Sequence, residues 1–380
     1  MKVPDRVVIL GDNESAVMAA NKLVQRANKN EIEVIIVGSA NDVEFKDTNI
    51  FVPTSLVDHH KLKRSINSQI KLSVEYVKDE VVTLNVRDKS LNTKGGKLIR
   101  YDYLLITNGF FEDDMAIPGF SQEVRTIITT QESLMLREDV GQFKKGEILI
   151  YQDGESIQSP VAGVNLAVLL SNYFKNKSLD KDVKITYASS FKQMMDNKTF
   201  HNKIVEVLDK NQINKVFDFK LSQINIKNKE VQSDDGKTLK FDLPIVIGKA
   251  TMEEYLAKTD FKKSDMAPIE IDFNNLCVKE HPEIFIVGIG PKFKSSFWEM
   301  NYEQIDFITA KLAHMISGYP EPDYYIGLYT DYLLESEERA TSFSIDINGE
   351  FSQGRASRSD YLLKLYSYHS YFGGYSQGYL

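Results

Sequence analysis

A short apolar strand that runs straight into a glycine and then a helix, Arg6–Leu10 followed by Gly11, constrains this chain more than any other feature. With a helix through about Ala27 and a second apolar strand at Glu33–Val37, it makes a βαβ opening. Continuous apolar strands in such units suit a parallel sheet covered on both faces. Asp12 or Asn13 stands where the helix N-cap is expected, and Val17, Ala20, Leu23 and Val24 share one helical face. The pattern restarts at Gly146: Glu147–Tyr151 reads as a strand, Val161–Lys175 as a helix and Val183–Ala188 as a strand, before a helix at Asn197–Lys210. Two such openings in 380 residues point to a duplicated α/β fold.

Between and after these units the signals are shorter. Lys71–Val77, Glu80–Val86 and Lys97–Tyr101 alternate apolar and polar residues and predict an antiparallel meander. Tyr103–Ile106 reads as a buried strand stopped by Asn108-Gly109, and Gln232–Phe241 contains a hairpin around Asp235-Gly236. Phe285–Val287 is a short strand ending at Gly288, followed by a helix near Glu303–Ile316 and a linker at Pro320-Glu321-Pro322.

Composition narrows the function. A formal net charge of -8 argues against a broad nucleic-acid-binding face. One cysteine, Cys277, excludes an internal disulfide, a Cys-rich zinc site and a protein-held iron–sulfur cluster. No signal-peptide pattern opens the chain and no apolar run reaches the ~20 residues that span a bilayer, so the expected location is cytoplasmic, peripheral at most to the inner face of a membrane.

The loop after the first strand carries the chemistry. A dinucleotide-binding unit reads Gly-x-Gly-x-x-Gly/Ala there, because the glycines let backbone N–H groups approach a pyrophosphate at the helix N-terminus. Here the loop is Gly11-Asp12-Asn13-Glu14-Ser15-Ala16, with Gly11 and Ala16 fitting the first and third positions and Asn13 the second. Gly38, with Ser39 beside it, replaces the acid that usually binds a ribose hydroxyl. A carboxylate about 5 Å from a phosphate costs roughly 3 kcal/mol at an effective dielectric near 20. Asp12 and Glu14 are therefore expected to face solvent as first-turn acids on the helix dipole.

The segments Tyr101-Asp102-Tyr103-Leu104-Leu105-Ile106-Thr107-Asn108-Gly109 and Ile117-Pro118-Gly119 resemble those of flavin-dependent pyridine nucleotide–disulfide oxidoreductases. Within that group the chain most resembles the sulfide:quinone oxidoreductases, particularly their archaeal branch. Ser39–Asp42 with Phe51-Val52-Pro53, Ser159–Phe174 and Glu280–Gly288 carry this likeness over nearly the whole chain. The resemblance implies two Rossmann-like dinucleotide-binding domains, three-layered, with parallel sheets and an antiparallel meander. An FAD-type domain is expected from residues 1–115 and 267–322, a second, NAD-type domain from 116–266, and an amphipathic C-terminal tail from 323–380.

The departures fall on the chemistry that the resemblance implies. Family cysteines correspond to Ser159, to a position near Ile128 and, in the archaeal branch, to one near Leu328; none is cysteine here. A family glutamate corresponds to Asn165, and the Gly-Asp pair of the flavin site to Gly288-Ile289. The family lysine near the flavin ring has no clear counterpart, although Lys292 and Lys294 are close in sequence. Cys277 reads as a small buried hydrophobe rather than a replacement thiol, and His59-His60 as a solvated helix start rather than a metal pair. The second loop, Gln152–Ser156, is acidic and lacks the glycine fingerprint.

The candidate cofactor-binding positions are thus Gly11, Asn13, Ala16, Gly38, Ser39, Asn108, Gly109, Gly288 and Ile289, with no catalytic or metal-ligating residue. FAD is the cofactor the resemblance implies, and the losses at Asn13, Gly38 and Ile289 lead us to expect none, or FAD held weakly, with Phe110, Phe111, Phe293 or Trp298 filling the vacated cleft. In the tail, Leu362, Leu365, Tyr366 and His369 lie at helical spacing beside Arg355, Arg358 and Lys364. This stripe predicts docking to a membrane surface or to a protein partner, a second copy included. The expected role is a catalytically degenerate family member serving as a binding or structural subunit of a membrane-associated redox complex. The alternative is an FAD-dependent oxidoreductase passing electrons to quinone or another acceptor without cysteine chemistry.

Overall fold

Strand β1 (Asp5–Leu10) is apolar on both faces because both faces are covered, and Val7, Val8 and Ile9 are fully buried. Burying each is worth roughly 1.5–3 kcal/mol. The computed structural model describes residues 3–261, 269–288, 298–323, 325, 327–346, 348 and 350–379. After β1 come helix α1 (Glu14–Arg26), β2 (Ile32–Gly38), β3 (Val74–Lys78) and β4 (Tyr103–Ile106). In the second unit, β5 (Gly146–Gln152), α2 (Ala162–Asn176), β6 (Val183–Ser189), α3 (Lys198–Lys210), β7 (Asn214–Val216) and β8 (Leu243–Ile247) form a parallel sheet ordered β7-β6-β5-β8.

The chain then returns to the first sheet. Strand β9 (His281–Ile286) pairs in parallel with β4, and an antiparallel hairpin, Ile271–Asp272 and Cys277–Val278, extends the edge beyond it. The seven-stranded sheet thus runs from that hairpin through β9, β4, β1 and β2 to β3. Helix α4 (Trp298–Ser317) packs along α1, where Asp306 accepts from Lys22 Nζ at 2.5 Å and from Arg26 Nη2 at 2.6 Å.

One predicted element changes partners. Val74–Lys78 does not join the meander but pairs in parallel with β2. It closes one end of the first sheet and leaves part of its length exposed, so it alternates like an antiparallel strand. The meander itself is Val81–Asn85, Ser90–Thr93 and Leu98–Arg100.

The C-terminal segment is also different from the expected docking tail. Strands β10 (Tyr329–Ser336), β11 (Arg339–Ile345) and β12 (Phe351–Gln353) form an antiparallel sheet, followed by helices α5 (Arg358–Leu365) and α6 (Ser367–Gly373). Leu365, Tyr368 and Tyr371 are buried, and so is Lys364, which sequence assigned to a positive surface. Tyr371 stacks on Phe45 at 5.0 Å and donates to the Glu14 carbonyl at 3.0 Å, fastening α6 to the start of α1. Of the predicted stripe, Leu362 and Tyr366 stay exposed together with Leu363, while Leu365 turns into the core. The stripe is divided because this segment covers the junction of the two units. Among the described residues no helix is long and apolar enough to cross a membrane.

Candidate functional site

The carboxyl ends of β1, β2 and β4 open onto a cavity of about 420 Å³. This is where open α/β sheets bind ligands, because helix N-termini and strand ends converge there. Of the nine predicted positions, Asn13, Gly38, Ser39 and Asn108 line it. Gly11, Ala16, Gly109 and Gly288 lie behind the lining in the surrounding packing, and Ile289 lies outside the described residues. Gly11 has φ +130° and touches β4 so closely that a Cβ would fall 2.3 Å from Thr107 Oγ1. Gly288, at φ +90°, donates its N–H to Gln304 Oε1 at 2.8 Å. Asn108 Oδ1 accepts from Tyr255 Oη at 2.9 Å, so it too has an internal partner.

The loop groups are turned inward rather than toward solvent, which corrects the expectation for both acids. Asp12 folds back across the end of β2, where Oδ2 accepts from the N–H groups of Ser39 and Ala40, each at 2.8 Å. Gly38 is required there, since a Cβ would meet Asp12 Cβ at 2.6 Å. A loop carboxylate has therefore taken the ground at the strand end that the ribose acid holds in a dinucleotide fold. Asn13 caps α1, accepting from the Ala16 N–H at 3.0 Å while its Nδ2 donates to the Thr107 carbonyl at 2.7 Å. Glu14, in the first turn, is only 7% exposed, and its Oε2 has no hydrogen-bond partner. Burial pushes its carboxyl up to about 7, with Lys46 pulling the other way.

These groups do not fit a dinucleotide's pyrophosphate. The Asn13 side chain satisfies an N–H that a phosphate would use, and the Glu14 carboxyl stands in the same helical turn. The two effects oppose an anion there, one by competition and one by charge or by forced protonation. Of the four large side chains expected to fill the cleft, two are among those described. Phe110 and Phe111 line the cavity without closing it, while Phe293 and the side chain of Trp298 lie outside the described residues, as do Lys292 and Lys294.

Beside the cavity, three parts of the chain meet in a buried charge network that sequence reading missed. Lys364 Nζ donates to Asp47 Oδ1 and Asp331 Oδ1, both at 2.7 Å, and Lys364 and Asp331 are 1% and 0% exposed. Asp331 Oδ2 also accepts from Tyr329 Oη at 2.8 Å and from the Ser159 hydroxyl. Ser159 is thus a donor to a carboxylate. An adjacent base would activate a hydroxyl by accepting its proton, but Asp331 is already compensated by an ammonium. Burial raises the Asp47 carboxyl, opposed by Lys364. No spacing in the sequence links residues 47, 159, 331 and 364, so no motif reveals them.

The other departures have structural reasons. Asn165 is buried, and its amide donates to the Tyr332 carbonyl at 2.9 Å and accepts from the Leu334 N–H at 2.8 Å, stitching α2 to β10. A glutamate carboxylate cannot do both. Ile128 is half-buried, its carbonyl accepting from Asn49, and Leu328 is exposed. Cys277 is a buried strand residue whose thiol is raised by burial. In the second unit, Gln152 Oε1 accepts from the Gly163 N–H at 2.8 Å and Ser190 Oγ from the Gly154 N–H at 2.7 Å, so the loop's donors are used internally. Asp58, His59 and His60 place ligand atoms within 4.8 Å of one another at the surface, where burial, then His60 and Arg137, lower the His59 imidazole against the opposing pull of Asp58.

Comparison with known proteins places this geometry. A family model described as pyridine nucleotide-disulphide oxidoreductase matches residues 5–289. The mitochondrial sulfide:quinone oxidoreductase of Dictyostelium discoideum is 20% identical over 364 residues, covering 93% of this chain and 79% of its own. The sulfide:quinone oxidoreductase structure from Aquifex aeolicus superposes with a TM-score of 0.84 at 14% identity, covering 98% of this chain and 92% of that one. A chain of the Tetrahymena thermophila mitochondrial ATP synthase superposes with a TM-score of 0.79 at 14% identity, covering 99% and 97%. The two Rossmann-like units, their order and these likenesses together mean that the chain belongs to the pyridine nucleotide-disulphide oxidoreductase family, as a divergent sulfide:quinone oxidoreductase-like member without the redox cysteines.

Proposed function

We propose that this protein is a catalytically degenerate member of its family that serves as a binding or structural subunit of a membrane-associated complex. The observation that carries the reading is the Ser159 hydroxyl bound to Asp331 inside the Lys364 network, at the position where the resemblance puts an attacking thiol. A serine hydroxyl there cannot form or hold a persulfide, and no second cysteine stands near it among the described residues. The use of loop donors by Asn13, Gln152 and Ser190 supports loss of dinucleotide chemistry in both units. The likeness in fold and length to a chain of an ATP synthase assembly supports a subunit role, since there too this fold belongs to a large complex. Leu362, Leu363 and Tyr366 remain as an exposed apolar face for a protein partner or the inner face of a membrane.

The family's implied cofactor supports a second reading, an FAD-dependent oxidoreductase working without cysteines. The close approach of Gly11 to β4, at the first glycine position of the loop that the resemblance implies, favours it. Sulfide-dependent reduction of a soluble quinone, measured with purified full-length protein and added FAD, tests the first reading. We expect no rate above the protein-free control. A rate that survives Cys277→Ser contradicts the degenerate reading.

A further inference from the structure

Outside the cleft, three consecutive side chains, Asp58, His59 and His60, converge at the surface. Read from sequence, His59-His60 starts a solvated helix, and a start is there: a single 3₁₀ turn, His59–Lys61. Asp58 caps it, its Oδ1 accepting from the His60 N–H at 3.1 Å. The backbone is held in place on both sides. Leu62 is fully buried and donates to the His59 carbonyl at 3.1 Å, and Arg64 Nη1 donates to the His60 carbonyl at 3.2 Å.

The fixed turn sets three donor groups side by side. The two imidazoles lie with centroids 3.9 Å apart and planes inclined by 37°, and His59 Nδ1 is 3.8 Å from Asp58 Oδ1. One ligand atom from each residue falls within 4.8 Å of the other two. Among the described residues neither imidazole makes a hydrogen bond, so no internal partner accounts for their convergence. Around a tetrahedral ion with bonds of about 2.0–2.2 Å, ligand atoms stand about 3.4 Å apart. Small side-chain rotations close the remaining distance.

We propose that Asp58, His59 and His60 form a surface site for a late first-row divalent ion, with zinc as the ion tested, and with a fourth position left to water. The surroundings select the class of ion. Lys61, Lys63 and Arg64 follow in the chain, and Arg137 is close enough for its charge to act on His59; of these, Lys63 is paired with Glu44 at 3.8 Å. Such neighbours disfavour magnesium or calcium, which are held chiefly by charge and need more oxygen ligands than one carboxylate offers. Two imidazole nitrogens suit zinc, nickel or copper, whose bonds to nitrogen depend less on net charge.

Isothermal titration of the full-length protein with zinc chloride tests this, at pH about 7.5 because the imidazoles must be unprotonated to bind. One zinc per chain is expected, undisturbed by equimolar magnesium. His60→Ala should weaken binding at least about tenfold, since losing even a residue behind a ligand has that effect. Asp58→Asn is the sharper variant. Asparagine caps a helix about as well as aspartate, so the turn stays while its anionic ligand is lost, and zinc affinity should fall about tenfold. His314→Gln is the control: its Nδ1 is committed to the Tyr319 carbonyl at 2.6 Å, and affinity should not change. Absence of saturable zinc binding, affinity indifferent to His60→Ala or to Asp58→Asn, displacement by equimolar magnesium, or weakened binding in His314→Gln would each overturn the proposal.

Discussion

Lys364→Met should lower the unfolding free energy by about 3–5 kcal/mol, because it strands Asp47 and Asp331 in the interior without their cation. The loss is larger than the worth of the ion pair itself. Two charges that share one ammonium have their desolvation offset only while it is present, and Asp331 is fully buried. The network also ties Asp47 of the first unit to the C-terminal segment, with Ser159 of the second held at Asp331, so the same change should loosen all three together. Chemical denaturation followed by circular dichroism measures it, with Lys175→Met on the exposed side of α2 as a control costing under about 0.5 kcal/mol. A loss at Lys364 no larger than the control's would mean that water reaches the two carboxylates.

Glu14→Gln should act in the opposite direction. The folded protein holds this carboxyl near 7, against an ordinary value of 4.5. Below the ordinary value both folded and unfolded states are protonated, and Glu14 costs the fold nothing through ionisation. As pH rises from there toward 7, the unfolded chain releases its proton while the folded chain keeps it, so stability falls. Above 7 both are ionised and the penalty is constant, at about 3 kcal/mol. The glutamine variant should therefore match wild type near pH 4 and exceed it by up to about 3 kcal/mol near pH 8. Paired denaturation curves at the two pH values read this directly, and an equal difference at both would assign the effect to shape rather than charge.

Much of the fold was legible because its signals are local. The strand Tyr103–Ile106 has the predicted bounds, α1 starts beside the predicted cap Asn13, and α3 starts one residue inside the predicted helix Asn197–Lys210, with Asn197 as its cap. Return of the chain to the first sheet at β9 follows from the Glu280–Gly288 resemblance and is seen in its pairing with β4. Periodicity failed where position in the sheet set the pattern, as for Val74–Lys78. It failed again in the tail, where β10 to β12 were unforeseen and α5 buries residues that a helical wheel alone would give to solvent. The cavity was only half legible. Gly11, Asn13 and Gly38 could be placed by loop spacing, but their partners could not. That Asp12 bonds the backbone beyond Gly38, or that Lys364 reaches Asp47 across 317 positions, depends on packing that no spacing rule encodes.

The most direct test of the degenerate-family reading is the flavin content of full-length protein purified without added cofactor, then titrated with FAD. Asn13 occupying a loop donor, Asp12 holding the end of β2 and Glu14 buried beside the phosphate position each weaken the same ligand. Two uncompensated losses of about 1.5–3 kcal/mol each amount to a factor of about 10²–10⁴ in affinity. The account predicts a colourless protein, with no flavin absorption bands and no saturable FAD binding at low micromolar concentration. A yellow protein carrying stoichiometric FAD would contradict it and establish the flavin oxidoreductase reading in its place.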